Sequence, residues 1–105
     1  MLIGKVIGTV VATQKDPELD GMKFLLLRSA DVDGRAQGSV LVAVDAVGAG
    51  VGELVLYAAG SSARQTYVTK DRPVDHVVMA IIDRIEVEGA SRYDKAAEAG
   101  ISRRE

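Results

Sequence analysis

The chain is 105 residues long, a length that fits one domain with a single modest core. Its 13 basic and 15 acidic residues leave a formal net charge of -2, which gives no electrostatic attraction to phosphate backbones or anionic membranes. With 4% aromatic residues and no cysteine, the chain is poor in stacking rings for single-stranded nucleic acid, and it has no disulfide, zinc thiolate or thiol nucleophile.

The first predicted element is a strand over residues 2–13, because β-branched side chains dominate that segment. It lacks the pattern of a secretion signal, since no basic segment precedes it and Lys5 interrupts its apolar run. Gly4 and Gly8 lie on one face of this strand and predict a bend or a close backbone approach. No apolar run in the chain approaches the ~20 residues that a membrane helix requires.

Two turn signals frame the next strands. Asp20-Gly21 closes a polar loop and leads into a predicted second strand over 22–30, and Asp33-Gly34 follows that strand. A third strand is predicted over 40–47. Two apolar strands joined by such a turn are typical of an antiparallel hairpin.

The middle of the chain is the most apolar part. A glycine-rich loop over 48–52 separates the third strand from a predicted fourth strand over 53–59. Ser62 to Gln65 has the spacing of a capping box and predicts a short helical turn. A fifth strand is predicted over 77–88.

The C-terminal segment has a different composition. Residues 91–99 favour a short helix that ends at Gly100, and residues 101–105 are predicted to fray. The predicted division is therefore a barrel domain over 1–88 and a partly helical tail over 89–105.

Five strands with a helical turn before the last one predict an all-β fold, a five-stranded OB-like antiparallel barrel, with a small β-sandwich as the alternative. The strands over 40–47 and 53–59, and the first half of the fifth, are apolar on both faces. An antiparallel barrel in water is polar outside, and a chain this short offers no second layer. Other copies are therefore predicted to cover the outer face in an obligate homo-oligomer.

Catalytic chemistry is not indicated. His76 is the only histidine and has no identifiable nucleophile or ligand partner. Asp45 lies in an apolar strand, where a structural role is favoured over a tuned carboxylate: it accepts N–H bonds from the following loop or pairs with a neighbour such as Arg64. Ser61 and Ser62 have no activating base, so capping is the preferred interpretation.

The glycine loop is not a dinucleotide fingerprint, because a strand follows it where a phosphate-binding helix should begin. Gly60 to Arg64 could hold a small anion at the start of its helical turn, but an interface role for Arg64 is at least as well supported. No catalytic, cofactor-binding or metal-binding residue is predicted. A structural or subunit-interface role is predicted for six residues: Asp45, Gly48, Gly50, Ser61, Ser62 and Arg64.

Several short motifs together resemble the EutN/CcmL family, the vertex proteins of bacterial microcompartments, including carboxysomes. The match covers about residues 1–88, with the motifs in the family's order and spacing. They are Val6–Lys15, Val42–Gly50, Gly52-Glu53, Gly60–Arg64 and Pro73–Asp75. His76 stands where a small residue is more usual, and the tail over 89–105 is longer than in the shortest members.

The resemblance implies an OB-like barrel that assembles into a cyclic homopentamer without enzymatic activity or cofactor. Such pentamers cap the vertices of a polyhedral shell whose facets are hexameric shell proteins, and the shell lies in the cytoplasm. Neither nucleic acid nor membrane is implied as a partner. An OB-fold nucleic-acid-binding domain is the alternative function, which the composition opposes.

Overall fold

The computed structural model describes residues 1–98, which form a mostly β protein. The helical segments among these residues are all too short to cross a membrane. Short 3₁₀ turns lie at Pro17–Leu19 and Gly60–Arg64. The strands are β1 (Leu2–Val10), β2 (Phe24–Ala30), β3 (Ala36–Asp45), β4 (Leu54–Ala59), β5 (His76–Ile81), β6 (Arg84–Val87) and β7 (Ala90–Asp94), followed by the short helix α1 (Lys95–Glu98).

Strands β1 to β5 form a closed barrel in the order β1-β2-β3-β5-β4. The barrel closes through an antiparallel pairing of β1 with β4, and β3 pairs with β5 in parallel. The predicted antiparallel hairpin of β2 and β3 is confirmed. The closed sheet confirms the OB-like barrel and rules out the β-sandwich.

The barrel interior holds the main core, whose side chains are at most 2% exposed. Its members are Val6, Leu25, Leu27, Ala43, Ala49, Val55, Tyr57 and Val78. Gly4 lies against this core, since a Cβ there would stand 2.9 Å from the Tyr57 ring. A bulge in β1 pairs Val6 with Leu27 but Gly8 with Leu26. Because Leu26 and Leu27 face opposite sides of β2, Gly8 lies on the opposite face from Gly4, and the expectation that both share a face is wrong.

A second cluster lies outside the barrel, on the outward faces of β3, β4 and β5. Val44, Ala58 and Val77 are buried there beneath Ala63 of the Gly60–Arg64 turn. The partly buried side chains of Met22, Phe24, Ala46, Val74 and Met79 pack around them. The expectation that the chain has no second layer is therefore wrong for this part of the surface, which we call the covered sector (Val44, Ala58, Ala63 and Val77).

The predicted fifth strand over 77–88 is two strands, because pairing with β4 ends at Ile81 and β6 begins at Arg84. The helix predicted over 91–99 is wrong in its first half. Residues 90–94 form β7, which pairs with β6, and only Lys95–Glu98 is helical. The predicted helix end at Gly100 and the predicted fraying of 101–105 lie outside the described residues.

The β6–β7 hairpin packs against the end of the barrel. Tyr93 is buried, and its ring lies so close to Gly34 that a Cβ at that glycine would stand 2.6 Å from it. Arg92 donates two hydrogen bonds to the Asp33 carboxylate, at 2.7 and 2.8 Å. These contacts join the end of the described chain to the β2–β3 turn.

Candidate assembly surfaces

One outward strip of the barrel is aliphatic and uncovered. On β3, Val40 is 53% exposed and Val42 is 46% exposed, and Ile7 at the β1 bulge is 39% exposed. Val40 pairs with Arg28, which pairs in turn with Lys5, so the three lie side by side on the outer face. We call this strip the cationic lane; its residues are Lys5, Ile7, Leu26, Arg28, Val40 and Val42.

A groove lies at the junction of the barrel wall with the β6–β7 hairpin, on the β4–β5 side. Its apolar part is formed by Leu56, Ala80, Ile81 and Ile82, and its charged part by Asp83, Arg84, Glu86 and Asp94. The groove has a volume of about 620 Å³. We call it the acidic groove, because three carboxylates face one guanidinium there. Sequence reasoning missed it, since the pairing that brings Asp94 beside Arg84 was not foreseen.

Asp45 organises the loop that follows β3. Its Oδ1 accepts hydrogen bonds from the backbone N–H groups of Val47, Gly48 and Ala49, at 3.0, 3.0 and 3.2 Å. Its side chain is only 3% exposed, and Lys23 Nζ lies 3.8 Å from Oδ2. The predicted acceptance of loop N–H bonds is confirmed, whereas the alternative pairing with Arg64 is wrong.

The two predicted glycines serve the same loop. Gly48 has a φ of 80°, a left-handed conformation that side chains with a Cβ rarely adopt. Gly50 donates its N–H to Glu53 Oε1 at 2.6 Å. Glu53 also pairs with Lys95, so this loop is tied to the C-terminal helix.

The Gly60–Arg64 segment is a 3₁₀ turn that begins without a side-chain cap. Ala59 occupies the cap position, so the predicted capping role of Ser61 and Ser62 is wrong. Both serines are exposed. Arg64 turns toward the following segment and donates from Nη1 to the Val74 carbonyl oxygen at 3.1 Å. The two serines and Arg64 thus lie on the outer surface at one edge of the covered sector.

Two ion pairs hold the C-terminal hairpin, and sequence reasoning foresaw neither. A hydrogen bond from Arg92 lowers the pKa of Asp33, and the carboxylate in turn raises the pKa of Arg92. A hydrogen bond from Lys95 lowers the pKa of Glu53, and the pKa of Lys95 is raised. The Asp33–Arg92 pair joins residues far apart in the chain, for which no local motif exists.

The described residues assemble little that performs chemistry. No group of His, Asp or Glu among residues 1–98 has the arrangement of a metal site. His76 begins β5, with Nδ1 3.2 Å from Asp75 Oδ1 and its ring 6.0 Å from that of Tyr57. The fold and its surfaces thus define a small closed β-barrel whose distinguishing feature is an uncovered aliphatic strip.

Comparisons with known proteins give this class a family. The model of the family described as "Ethanolamine utilisation protein EutN/carboxysome" matches residues 1–83. The carboxysome shell vertex protein CcmL of Synechococcus elongatus is 52% identical over 95 residues, which cover 90% of this chain and 96% of that protein.

Solved structures agree. CcmL from Nostoc sp. PCC 7120 is 52% identical, with a TM-score of 0.85 over 90% of this chain and 100% of that one. The pentameric microcompartment shell protein GrpN from Rhodospirillum rubrum is 44% identical, with a TM-score of 0.75 over 83% of this chain and 99% of that one. The chain belongs to the EutN/CcmL family.

Proposed function

We propose that this chain is a structural shell protein that forms homopentamers and caps the vertices of a polyhedral bacterial microcompartment. The observation that carries the proposal is the near full-length likeness to shell vertex proteins and to a pentameric shell protein. The exposed aliphatic strip on Ile7, Val40 and Val42 supports it, because such a surface is typical of an interface.

Hexameric shell proteins are the proposed neighbours in the facets. A flat sheet of hexagonal units closes into a polyhedron only where five-fold units interrupt it, and a pentamer of this chain supplies such a unit. The shell, and with it this chain, lies in the cytoplasm. The role is structural and not enzymatic, which agrees with the naming of the relatives as shell vertex proteins.

The six predicted site residues divide into two groups in this proposal. Asp45, Gly48 and Gly50 shape the loop after β3 and act within the subunit. Ser61, Ser62 and Arg64 contribute to a subunit contact, because all three are exposed on the segment that covers the outer barrel face.

Residues 1–88 are proposed as the barrel domain and 89–105 as an appended tail. The family model matches residues 1–83, which hold all five barrel strands, whereas the boundary between 88 and 89 lies in the turn of the β6–β7 hairpin. The nucleic-acid alternative gains no support, since the cationic lane carries only two basic residues, Lys5 and Arg28, and Tyr67 is the one fully exposed ring among residues 1–98.

Electron cryomicroscopy of shells co-assembled from this chain and hexameric shell proteins tests the proposal. We expect five-fold density of barrel shape at the vertices when the chain is present, and vertices without that density when it is omitted. Density for the chain within the facets, or its exclusion from intact shells, would overturn the vertex role.

A further inference from the structure

Two like charges lie directly opposite each other on the outer barrel face. Lys5 of β1 pairs with Arg28 of β2 in the strand register. Like charges in such a pair destabilise an isolated sheet. Arg28 donates from Nε to the Gly38 carbonyl oxygen at 3.1 Å, and neither residue has an ion pair within residues 1–98. This cationic pair is therefore suited to an anionic partner from outside the subunit.

Apolar side chains lie next to the cationic pair on the same face of the barrel. Along the cationic lane, Arg28 pairs with Val40 and Leu26 pairs with Val42. A partner for this lane therefore has to offer both apolar surface and negative charge.

The acidic groove offers both on another side of the barrel. Leu56 and Ala80 pair across β4 and β5 and form part of its apolar wall. The charged lining of the groove holds the carboxylates of Asp83, Glu86 and Asp94 and the guanidinium of Arg84, which is in an ion pair with Glu86 at 3.2 Å. Chemically, the groove complements the lane.

The two surfaces lie on different strands of the barrel wall. Lys5 pairs with Leu54, and the Leu54 carbonyl oxygen accepts a hydrogen bond from the Ile82 N–H at 2.9 Å. Ile82 lines the acidic groove. The lane on β1, β2 and β3 and the groove on β4 and β5 are therefore separate patches, as a head-to-tail contact requires.

We propose that the cationic lane of one subunit docks into the acidic groove of the next copy of this chain. The proposal rests on the homopentamer proposed above. A cyclic ring uses head-to-tail contacts between two different patches of the same chain, and the lane and the groove form such a pair. Lys5 and Arg28 face the carboxylates of the neighbour, and Val40 and Val42 cover its apolar wall.

Charge reversal on the lane tests the contact. In Lys5→Glu the new carboxylate lies opposite Arg28 within the subunit, so the barrel itself gains an opposite-charge pair. The ring loses its attraction to the neighbour's carboxylates and gains repulsion. We expect the pentamer dissociation constant, measured by native mass spectrometry over a dilution series, to rise about tenfold or more.

Rescue gives the decisive comparison. Glu86→Lys reverses a charge on the acidic groove and should also raise the pentamer dissociation constant. The chain that carries both Lys5→Glu and Glu86→Lys should recover a substantial part of the lost affinity. Lys70→Glu is the matched control, because Lys70 is exposed, belongs to neither surface and undergoes the same charge change. Circular dichroism of each variant confirms that the barrel is folded.

The outcomes separate the two proposals. The lane–groove contact is overturned if Lys5→Glu raises the pentamer dissociation constant no more than Lys70→Glu does. It is also overturned if Glu86→Lys does not restore affinity to the Lys5→Glu chain. Either result leaves the vertex role intact. The same holds if Lys5→Glu pentamers form normally but fail to enter shells, since the lane then contacts a hexameric protein. A wild-type chain that is not a pentamer overturns the proposed function itself.

Discussion

Val42 and Val44 lie two residues apart on the outer face of the same strand, yet Val42 is 46% exposed and Val44 is 2% exposed. Val44 belongs to the covered sector, where Ala63 and the segment after it supply a second layer. Val42 belongs to the cationic lane, which no described part of the chain covers. The same outward aliphatic pattern is thus buried by the chain itself in one place and left exposed in another.

A strand that is apolar on both faces does not always face another subunit, because the chain itself can cover its outer face. Apolar residues on both faces of the third and fourth strands and of the first half of the fifth predicted that other copies cover the outer face there. The Gly60–Arg64 turn removes Val44, Ala58 and Val77 from that interface. The exposed apolar outer surface is therefore narrower than the pattern predicts, and on β3 it is limited to Val40 and Val42.

The same substitution at the two valines should have opposite consequences. Val44→Asp places a carboxylate in the covered sector without a partner, and we expect it to lower the free energy of unfolding by at least about 4 kcal/mol. Val42→Asp leaves the charge in water in the free subunit, so unfolding should change by less than about 0.5 kcal/mol while the pentamer is lost. Urea unfolding and light scattering measure the two effects. A folded, stable Val44→Asp chain would contradict the burial of this sector.

Asp45 lies at the end of the covered strand and should show the second-largest effect. Asp45→Ala removes one acceptor from three backbone N–H groups, and we expect a loss of about 2 kcal/mol in urea unfolding. Asp45→Asn keeps an oxygen acceptor and should lose roughly half as much. Equal losses for both variants would show that the loop bonds contribute little and that the carboxylate charge beside Lys23 matters more.

Arg64 lies at the edge of the covering segment and should have a smaller effect. Arg64→Ala loses the hydrogen bond to the Val74 carbonyl oxygen, which at this exposed position costs about 1 kcal/mol or less. If Arg64 also bridges subunits, the same variant weakens the pentamer more than Arg64→Lys, which retains the charge. An unchanged dissociation midpoint in Arg64→Ala removes the interface role.

The smallest effect concerns pH and the C-terminal hairpin, which two ion pairs hold against the barrel. The pKa values of Asp33 and Glu53 are lowered by Arg92 and Lys95, so these carboxylates stabilise the folded state above their ordinary pKa values of 3.8 and 4.5. That contribution is lost as the pH falls through the lowered values. The pKa of Lys95 is raised, so its contribution holds below 10.5 and is lost as the pH rises beyond the raised value.

Hydrogen exchange of the amides in 84–98 should therefore report a hairpin that stays docked at neutral pH and loosens in acid before the barrel does. Glu53→Gln is the control, because it removes one of the two acid-sensitive pairs. The contrary result is exchange protection in the hairpin that does not change between neutrality and about pH 3, after correction for intrinsic exchange rates. That result would show that Tyr93 packing alone holds the hairpin.

Predictions from the sequence succeeded where the structure depends on residues that are close together in the chain. The alternation along 40–47 separated the face of Leu41 and Ala43, which lies toward the interior core, from the face of Val42, which lies outside. Asp45 before a glycine loop correctly predicted a carboxylate that accepts backbone N–H groups. Both features depend on residues within a few positions of each other.

The failures depend on distant contacts. The helix predicted over 91–99 became β7 in its first half, since Tyr93 packs beneath Gly34 and Arg92 pairs with Asp33. The predicted single strand over 77–88 breaks between Ile81 and Arg84, where the chain leaves the barrel to form the hairpin. Of the two proposed assembly surfaces, the apolar part of the cationic lane follows from the alternation of β3, whereas the acidic groove exists only once β6 and β7 have paired.

Native mass spectrometry of the wild-type chain tests the central claim most directly. We expect one dominant assembly with five times the 11.1 kDa mass of the chain, which persists at micromolar concentration and dissociates to folded monomers on dilution. A stable monomer at that concentration, or an assembly with any other number of copies, would contradict the vertex role.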